Sequence, residues 1–89
     1  MPKAEISWKG RTAEGLKREV YAQRVGGQWR FFERERRYDQ WRPLLNPPLA
    51  DWLELLDAVQ RRITRRLLRP EEESRVKNVI YEHYPDAKL

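Results

Sequence analysis

Arginine and aromatic side chains alternate along a predicted β-hairpin, and these residue types bind phosphates and stack on bases. Two strand-like runs, residues 17–25 and 28–36, flank Gly26-Gly27. Glycine tolerates the positive φ that a two-residue primed turn requires, so residues 25 and 28 are expected to face each other across the turn. Residues two apart on a strand share a face. One face of the hairpin is therefore expected to carry the candidate binding residues Tyr21, Gln23, Arg30, Phe32, Arg34 and Arg36.

This hairpin face supports two interpretations. Arginine binds phosphate oxygens or guanine edges, and an aromatic ring offers a stacking platform to an unstacked base, so the face suits DNA or RNA. The alternative is structural, because the solvated face of an antiparallel sheet carries polar residues in any case, and Tyr21 opposite Phe32 is a stabilising cross-strand pair. The opposite face is expected to supply the core residues Val20, Ala22, Trp29 and Phe31.

A second group of basic side chains lies near the end of the first predicted helix. These arginines recur at four-residue steps, which would place them as a ridge on the outer side of the helix. They are a second candidate for phosphate contacts, and a solvated helix end that complements the helix dipole is the alternative. The group consists of Arg61, Arg62, Arg65, Arg66 and Arg69.

Residues suited to catalysis are few and poorly placed. The single histidine, His83, falls at the end of the second predicted helix, and neither Ser7 nor Ser74 sits in a glycine elbow. Consecutive carboxylates at 71–73 splay by about 100° each on a helix, so they do not converge on a metal ion. We therefore expect no enzyme activity, cofactor, metal or small-molecule substrate.

The periodicity predicts a small α+β domain covering residues 1–89. Strands are expected at about 4–10, 17–25 and 28–36, as a three-stranded antiparallel meander. Residues 37–48 hold three prolines and are expected to form an irregular packed crossover that includes Trp41. Helices are expected at about 48–68 and 70–84, packed on one face of the sheet. The first helix carries the apolar stripe Leu49, Trp52, Leu53, Leu56, Val59, Ile63 and Leu67.

Composition narrows the class of protein. The chain has 89 residues, no cysteine and a net charge of +5, and its basic residues are mostly arginine. Absence of cysteine gives no support to an oxidising compartment, and no apolar run approaches the ~20 residues of a membrane span, so a cytoplasmic location without membrane attachment is expected. The leading hypothesis is a non-enzymatic nucleic-acid-binding accessory domain. The alternative is a protein-interaction or homodimerising module that uses the edge of the first strand or the aromatic sheet face.

Overall fold

Four strands are followed by two helices. The computed structural model describes residues 5–89, so residue 4 of the first predicted strand lies outside the described part. The small α+β class is confirmed, with an antiparallel sheet and two helices. The elements are β1 (Glu5–Arg11), β2 (Lys17–Val25), β3 (Gln28–Arg34), β4 (Arg42–Leu44), α1 (Leu49–Thr64) and α2 (Glu71–His83).

The chain divides into two compact units, one up to Pro47 and one from Pro48 onward. The first contains the sheet, here called the sheet unit, and the second contains both helices, here called the helical unit. The single-domain arrangement, with the helices packed on the sheet, stays a prediction. Neither helix within residues 5–89 combines the length and the apolar character needed to cross a bilayer.

The hairpin register follows from its two glycines. Gly26 and Gly27 have φ values of 60° and 81°, the two consecutive positive angles of a type I′ turn. Val25 consequently pairs with Gln28, and Tyr21 pairs with Phe32. The predicted register and the bounds of β2 are confirmed, whereas β3 ends at Arg34 and leaves Arg36 outside the strand.

The sheet has four strands in the order β1-β2-β3-β4, so the predicted antiparallel meander is confirmed as β1–β3 and a short fourth strand extends it. The fourth strand lies within the segment expected to be an irregular crossover. Pro43 of this strand pairs with Phe32. The strand lies at the edge of the sheet, where proline is tolerated because its missing N–H does not break a hydrogen bond to a further strand. Proline in this segment therefore did not prevent a short strand from forming.

The two faces of the sheet differ in burial. Val20 and Ala22 are fully buried and Phe31 is 4% exposed, as predicted for the core face. Trp29 shares that face but is only half-buried, because it pairs with Arg24 beside the turn, at the end of the hairpin. The opposite face, here called the polar face, presents Glu5, Ser7, Lys9, Arg11, Lys17, Glu19, Tyr21, Gln23, Val25, Gln28, Arg30, Phe32 and Arg34.

In the helical unit, the apolar stripe of α1 is only partly as predicted. Trp52, Leu56 and Val59 are buried, but Leu53 is 41% exposed. Leu55, which lies just outside the predicted stripe, is fully buried instead. The buried face of α1 is therefore rotated around the helix axis, away from Leu53 and toward Leu55.

Helix α1 ends at Thr64, about one turn earlier than predicted. Arg66 has a φ of 61°, in the left-handed region. Its N–H donates to the carbonyl of Ile63 at 2.9 Å, and the N–H of Leu67 donates to that of Arg62 at 2.8 Å. This pair of bonds is a Schellman motif with arginine at the position that glycine usually occupies. Arg65 caps the helix instead of continuing it, so Arg65, Arg66 and Arg69 do not extend a helical ridge.

Helix α2 packs against α1 through polar and aromatic contacts. The Gln60 amide donates to the Glu73 carboxylate at 3.0 Å, and the Lys77 ammonium lies 3.1 Å from the same carboxylate. These contacts hold the pKa of the Glu73 carboxyl below its usual range. The His83 ring stacks on Trp52 with centroids 5.8 Å apart. His83 thus has a structural neighbour within the helical unit.

Replacing Arg66 by glycine should stabilise the protein. A non-glycine residue in the left-handed region costs about 1 to 2 kcal/mol, which glycine avoids at some loss of unfolded-state entropy. We expect Arg66→Gly to raise the free energy of unfolding by about 0.5 to 1 kcal/mol, measured by chemical denaturation. Arg65→Gly is the matched control, because Arg65 has a φ of −86° and gains no relief. A stabilising Arg65→Gly, or a destabilising Arg66→Gly, would contradict this explanation.

Candidate nucleic-acid interface

The net positive charge of the chain belongs entirely to the sheet unit. Residues 1–47 contain 11 Lys and Arg against six Asp and Glu, whereas residues 48–89 contain eight of each. A charge asymmetry of this kind localises attraction for anions to one part of the chain. A phosphate-binding surface is therefore expected on the sheet unit.

Aromatic side chains form the centre of the polar face. Tyr21 and Phe32 stack with centroids 4.8 Å apart and an interplanar angle of 15°. The ring of Trp41 meets Tyr21 edge-on at 4.7 Å. All three side chains are half-buried, so part of each remains in contact with solvent. Trp41, from the segment expected to form a packed crossover, thus lies against the polar face.

Arg34 holds the Trp41 ring of this aromatic group in position. Its Nε donates to the Glu19 carboxylate at 2.7 Å, and its guanidinium carbon lies 4.2 Å from the centroid of the Trp41 ring. The side chains of Arg34 and Glu19 are only 22% and 25% exposed. This guanidinium is already engaged by a carboxylate and a ring, so its first role is to position Trp41.

The other predicted hairpin residues are placed differently from one another. Arg30 is exposed, pairs with Gln23 across the hairpin, and has no hydrogen-bond or ion-pair partner within residues 5–89. Arg36 lies beyond β3 and donates to the Tyr38 hydroxyl at 3.0 Å. The structure therefore brings together Tyr21, Gln23, Arg30, Phe32 and Arg34 on the polar face and leaves Arg36 in the following turn.

A basic cleft that the sequence did not indicate lies at the end of the sheet next to the β1–β2 turn. Its volume is about 740 Å³. Six of the nine residues around it are Lys or Arg and two are glutamates. It is lined by Lys9, Gly10, Arg11, Lys17, Arg18, Glu19, Arg34, Glu35 and Arg37.

These cations come from segments that are far apart in the sequence. The antiparallel pairing of β1 with β2 sets Arg11 opposite Lys17 and Lys9 opposite Glu19, while Arg37 arrives after β3. The available signal was the period-two alternation of β1, which puts Lys9 and Arg11 on one face. Without the register of β1 against β2, that alternation did not predict a cleft.

An aromatic groove of about 480 Å³ adjoins the basic cleft. The two cavities share Lys9, Glu19 and Arg34. Tyr21 and Trp41 line the groove but not the cleft. The polar face therefore offers a ring-lined depression directly beside a strongly basic one.

The arginines near the end of α1 do not form the continuous helical ridge that was predicted. Arg61 lies 3.4 Å from Asp57, one turn earlier on the same helix. Arg65 and Arg66 form the end of α1, and Arg69 lies in the connection to α2. The helical unit as a whole carries no net charge, because its eight basic residues are matched by eight acidic ones.

The residues considered for catalysis lie on different elements of the chain. Ser7 lies in β1 opposite Tyr21, and His83 stacks on Trp52 in the helical unit. In the described part of the chain, no group of three or more His, Asp or Glu side chains is arranged to hold a metal ion. Comparison with protein-family models, curated proteins and solved structures finds no match to this chain.

Truncating Arg34 should destabilise the protein, whereas truncating Arg30 should not. Arg34→Ala removes a half-buried ion pair and a cation–π contact, each worth about 0.5 to 1 kcal/mol. We expect a loss of about 1 to 2 kcal/mol in the free energy of unfolding, measured by chemical denaturation. Arg30→Ala, the control on the same strand, should change it by less than about 0.5 kcal/mol. Equal effects would mean that Arg34 does not position Trp41.

Proposed function

We propose that this chain is a non-enzymatic nucleic-acid-binding domain whose sheet unit binds single-stranded DNA or RNA. The observation that carries the proposal is the aromatic row of Tyr21, Phe32 and Trp41, set between cations on the polar face. Aromatic rings meet bases only where the bases are unpaired, which favours a single strand over a duplex. A cytoplasmic location belongs to the same proposal.

The cations that flank the aromatic row support the proposal, because they make no ion pair within the described residues and can therefore bind phosphates. Arg30 lies on one side of the row and Lys9 and Lys17 lie on the other, none with an intramolecular partner within residues 5–89. Glu19 lies among them, but its carboxylate is engaged by Arg34 at 2.7 Å. Partner-free cations on both sides of stacking rings suit a strand that runs across the sheet, with phosphates on the cations and bases on the rings.

Fluorescence polarisation against labelled single-stranded and duplex DNA and RNA, over a range of salt concentrations, tests the proposal. We expect single strands to bind more tightly, with a log–log salt slope of about −0.7 for each phosphate contacted. Arg30→Ala should weaken binding several-fold and make the slope shallower by about one phosphate. Phe32→Leu should weaken binding by about 1 to 3 kcal/mol, because the leucine side chain cannot stack.

Arg24→Ala is the matched control for this titration. Arg24 lies on the same hairpin as Arg30, but on the opposite face of the sheet. Its removal lowers the net charge by the same amount, so an effect equal to that of Arg30→Ala would indicate non-specific attraction. Absence of binding to every nucleic acid at low salt would refute the proposal.

Pairing of two copies through β1 is a second candidate function, favoured by the topology of the sheet. Within residues 5–89, strand β1 is an edge of seven residues with a neighbouring strand on one side only. In an antiparallel pair of copies centred on Ser7, Glu5 of one chain faces Lys9 of the other and Ile6 faces Trp8. Opposite charges and apolar pairs at facing positions stabilise strand pairing.

A charge exchange tests this pairing by light scattering at several protein concentrations. We expect a dimer that Glu5→Lys weakens, because the change sets two like charges opposite each other twice in the symmetric pair. Lys9→Glu should weaken it in the same way. The double variant carrying both changes should restore the dimer. A monomer at every concentration would exclude this candidate.

A further inference from the structure

We propose that the basic cleft binds the terminal phosphate of a nucleic-acid strand, with the adjoining base in the aromatic groove. This inference rests on the proposed function and specifies which part of the nucleic-acid strand the cleft binds. The shared chemistry is a phosphomonoester, which either the 5′ or the 3′ end of a strand can provide.

The cleft carries more cationic charge than its own acids neutralise. Glu19 accepts from Arg34, and Glu35 lies 3.9 Å from Arg42, a residue outside the cleft lining. Arg18, itself only 12% exposed, is held 2.9 Å from Glu33. These ion pairs account for both carboxylates of the cleft lining.

Four cations of the cleft lie outside these ion pairs. The Arg11 guanidinium donates to the carbonyl of Gly15 at 2.9 Å, which fixes it over the β1–β2 turn. Lys9, Lys17 and Arg37 have no partner among residues 5–89. Arg11 and Lys17 are directly opposite each other on paired strands, an arrangement of like charges that destabilises a sheet. A bound anion would relieve this repulsion.

A terminal phosphate suits this set better than an internal one. A phosphodiester carries a single negative charge, whereas a phosphomonoester carries about −1.5 to −2 at pH 7 and has three oxygens to accept charge-assisted hydrogen bonds. The four cations of the cleft can therefore make more charge-assisted hydrogen bonds to a monoester than to a diester. Further along the polar face, Arg30 is a single cation and suits a diester.

The neighbouring groove explains why the ligand would be a nucleotide and not a bare anion. Lys9, Glu19 and Arg34 form a wall common to both cavities. A phosphate in the basic cleft, on one side of this wall, leaves its base in the aromatic groove on the other side, next to Tyr21 and Trp41. Volumes of about 480 and 740 Å³ are within the usual range for small-molecule sites of about 300–1,000 Å³.

Three oligonucleotides of identical sequence test the inference, one with a 5′-phosphate, one with a 3′-phosphate and one with hydroxyls at both ends. Each carries the same internal label and is titrated by fluorescence polarisation at one salt concentration. We expect one phosphorylated form to bind about tenfold more tightly than the hydroxyl form, as an added charge-assisted contact predicts. The tighter of the two identifies the end that is recognised.

Variants of the cleft locate the preference. Arg37→Ala, which is not among the cations that flank the aromatic row, should remove most of the tenfold difference while leaving the hydroxyl form bound. Lys17→Ala should also remove it and should in addition weaken the hydroxyl form, because Lys17 also flanks the aromatic row. Arg30→Ala, outside the cleft, should weaken all three oligonucleotides by the same factor and keep the difference. Melting curves of each variant confirm that the fold is intact; both cleft side chains are exposed, so large losses of stability are not expected.

The outcomes separate the inference from the function on which it rests. Equal binding of the three oligonucleotides would overturn the terminal-phosphate site and leave single-strand binding in place. A preference that survives Lys17→Ala and Arg37→Ala would also overturn it, because the end would then be recognised elsewhere. Absence of binding to all three at low salt would overturn the proposed function itself.

Discussion

The two consecutive positive φ angles at Gly26 and Gly27 are the constraint on which the polar face depends. A primed turn matches the twist of the strands it joins and sets Val25 against Gln28, so every later pair follows from that first one. A slip by one residue would turn one strand over relative to the other. Tyr21 would then pair with Phe31 or Glu33 instead of Phe32, which would break the Tyr21–Phe32 stack and put the core residues of the two strands on different faces. The polar face and the core therefore share one geometric origin.

Carboxylates determine which cations of the sheet unit remain available. Glu19, Glu33 and Glu35 each lie within ion-pair distance of an arginine, and the first two pairs are half-buried. Half-buried ion pairs hold their partners more firmly than solvent-exposed ones do. The arginines at these positions act as parts of the scaffold, whereas cations without such partners remain free to meet a ligand. Sequence position alone does not distinguish the two groups, since both alternate along the same strands.

Features governed by neighbouring residues could be predicted from the sequence, and features governed by distant ones could not. The hairpin, its register and the stacking of Tyr21 on Phe32 depend on a two-residue turn and on alternation. Strand β4 was missed because proline is excluded only from inner strands, and the position of an edge is a property of the whole sheet. The end of α1 depends on a left-handed arginine where glycine would have been the recognisable signal. The basic cleft required the register of β1 against β2 and the return of the chain after β3.

The two edges of the sheet are unequal in a way that limits how copies of this protein can associate. Strand β4 has three residues with a proline in the middle, so it offers little to a further strand. Strand β1 is a longer edge without proline. Addition of strands is thus favoured at one side only. Among residues 5–89, β1 is the single receptive edge of the sheet, so an association through it would stop at a closed pair and would not grow into an open-ended fibre.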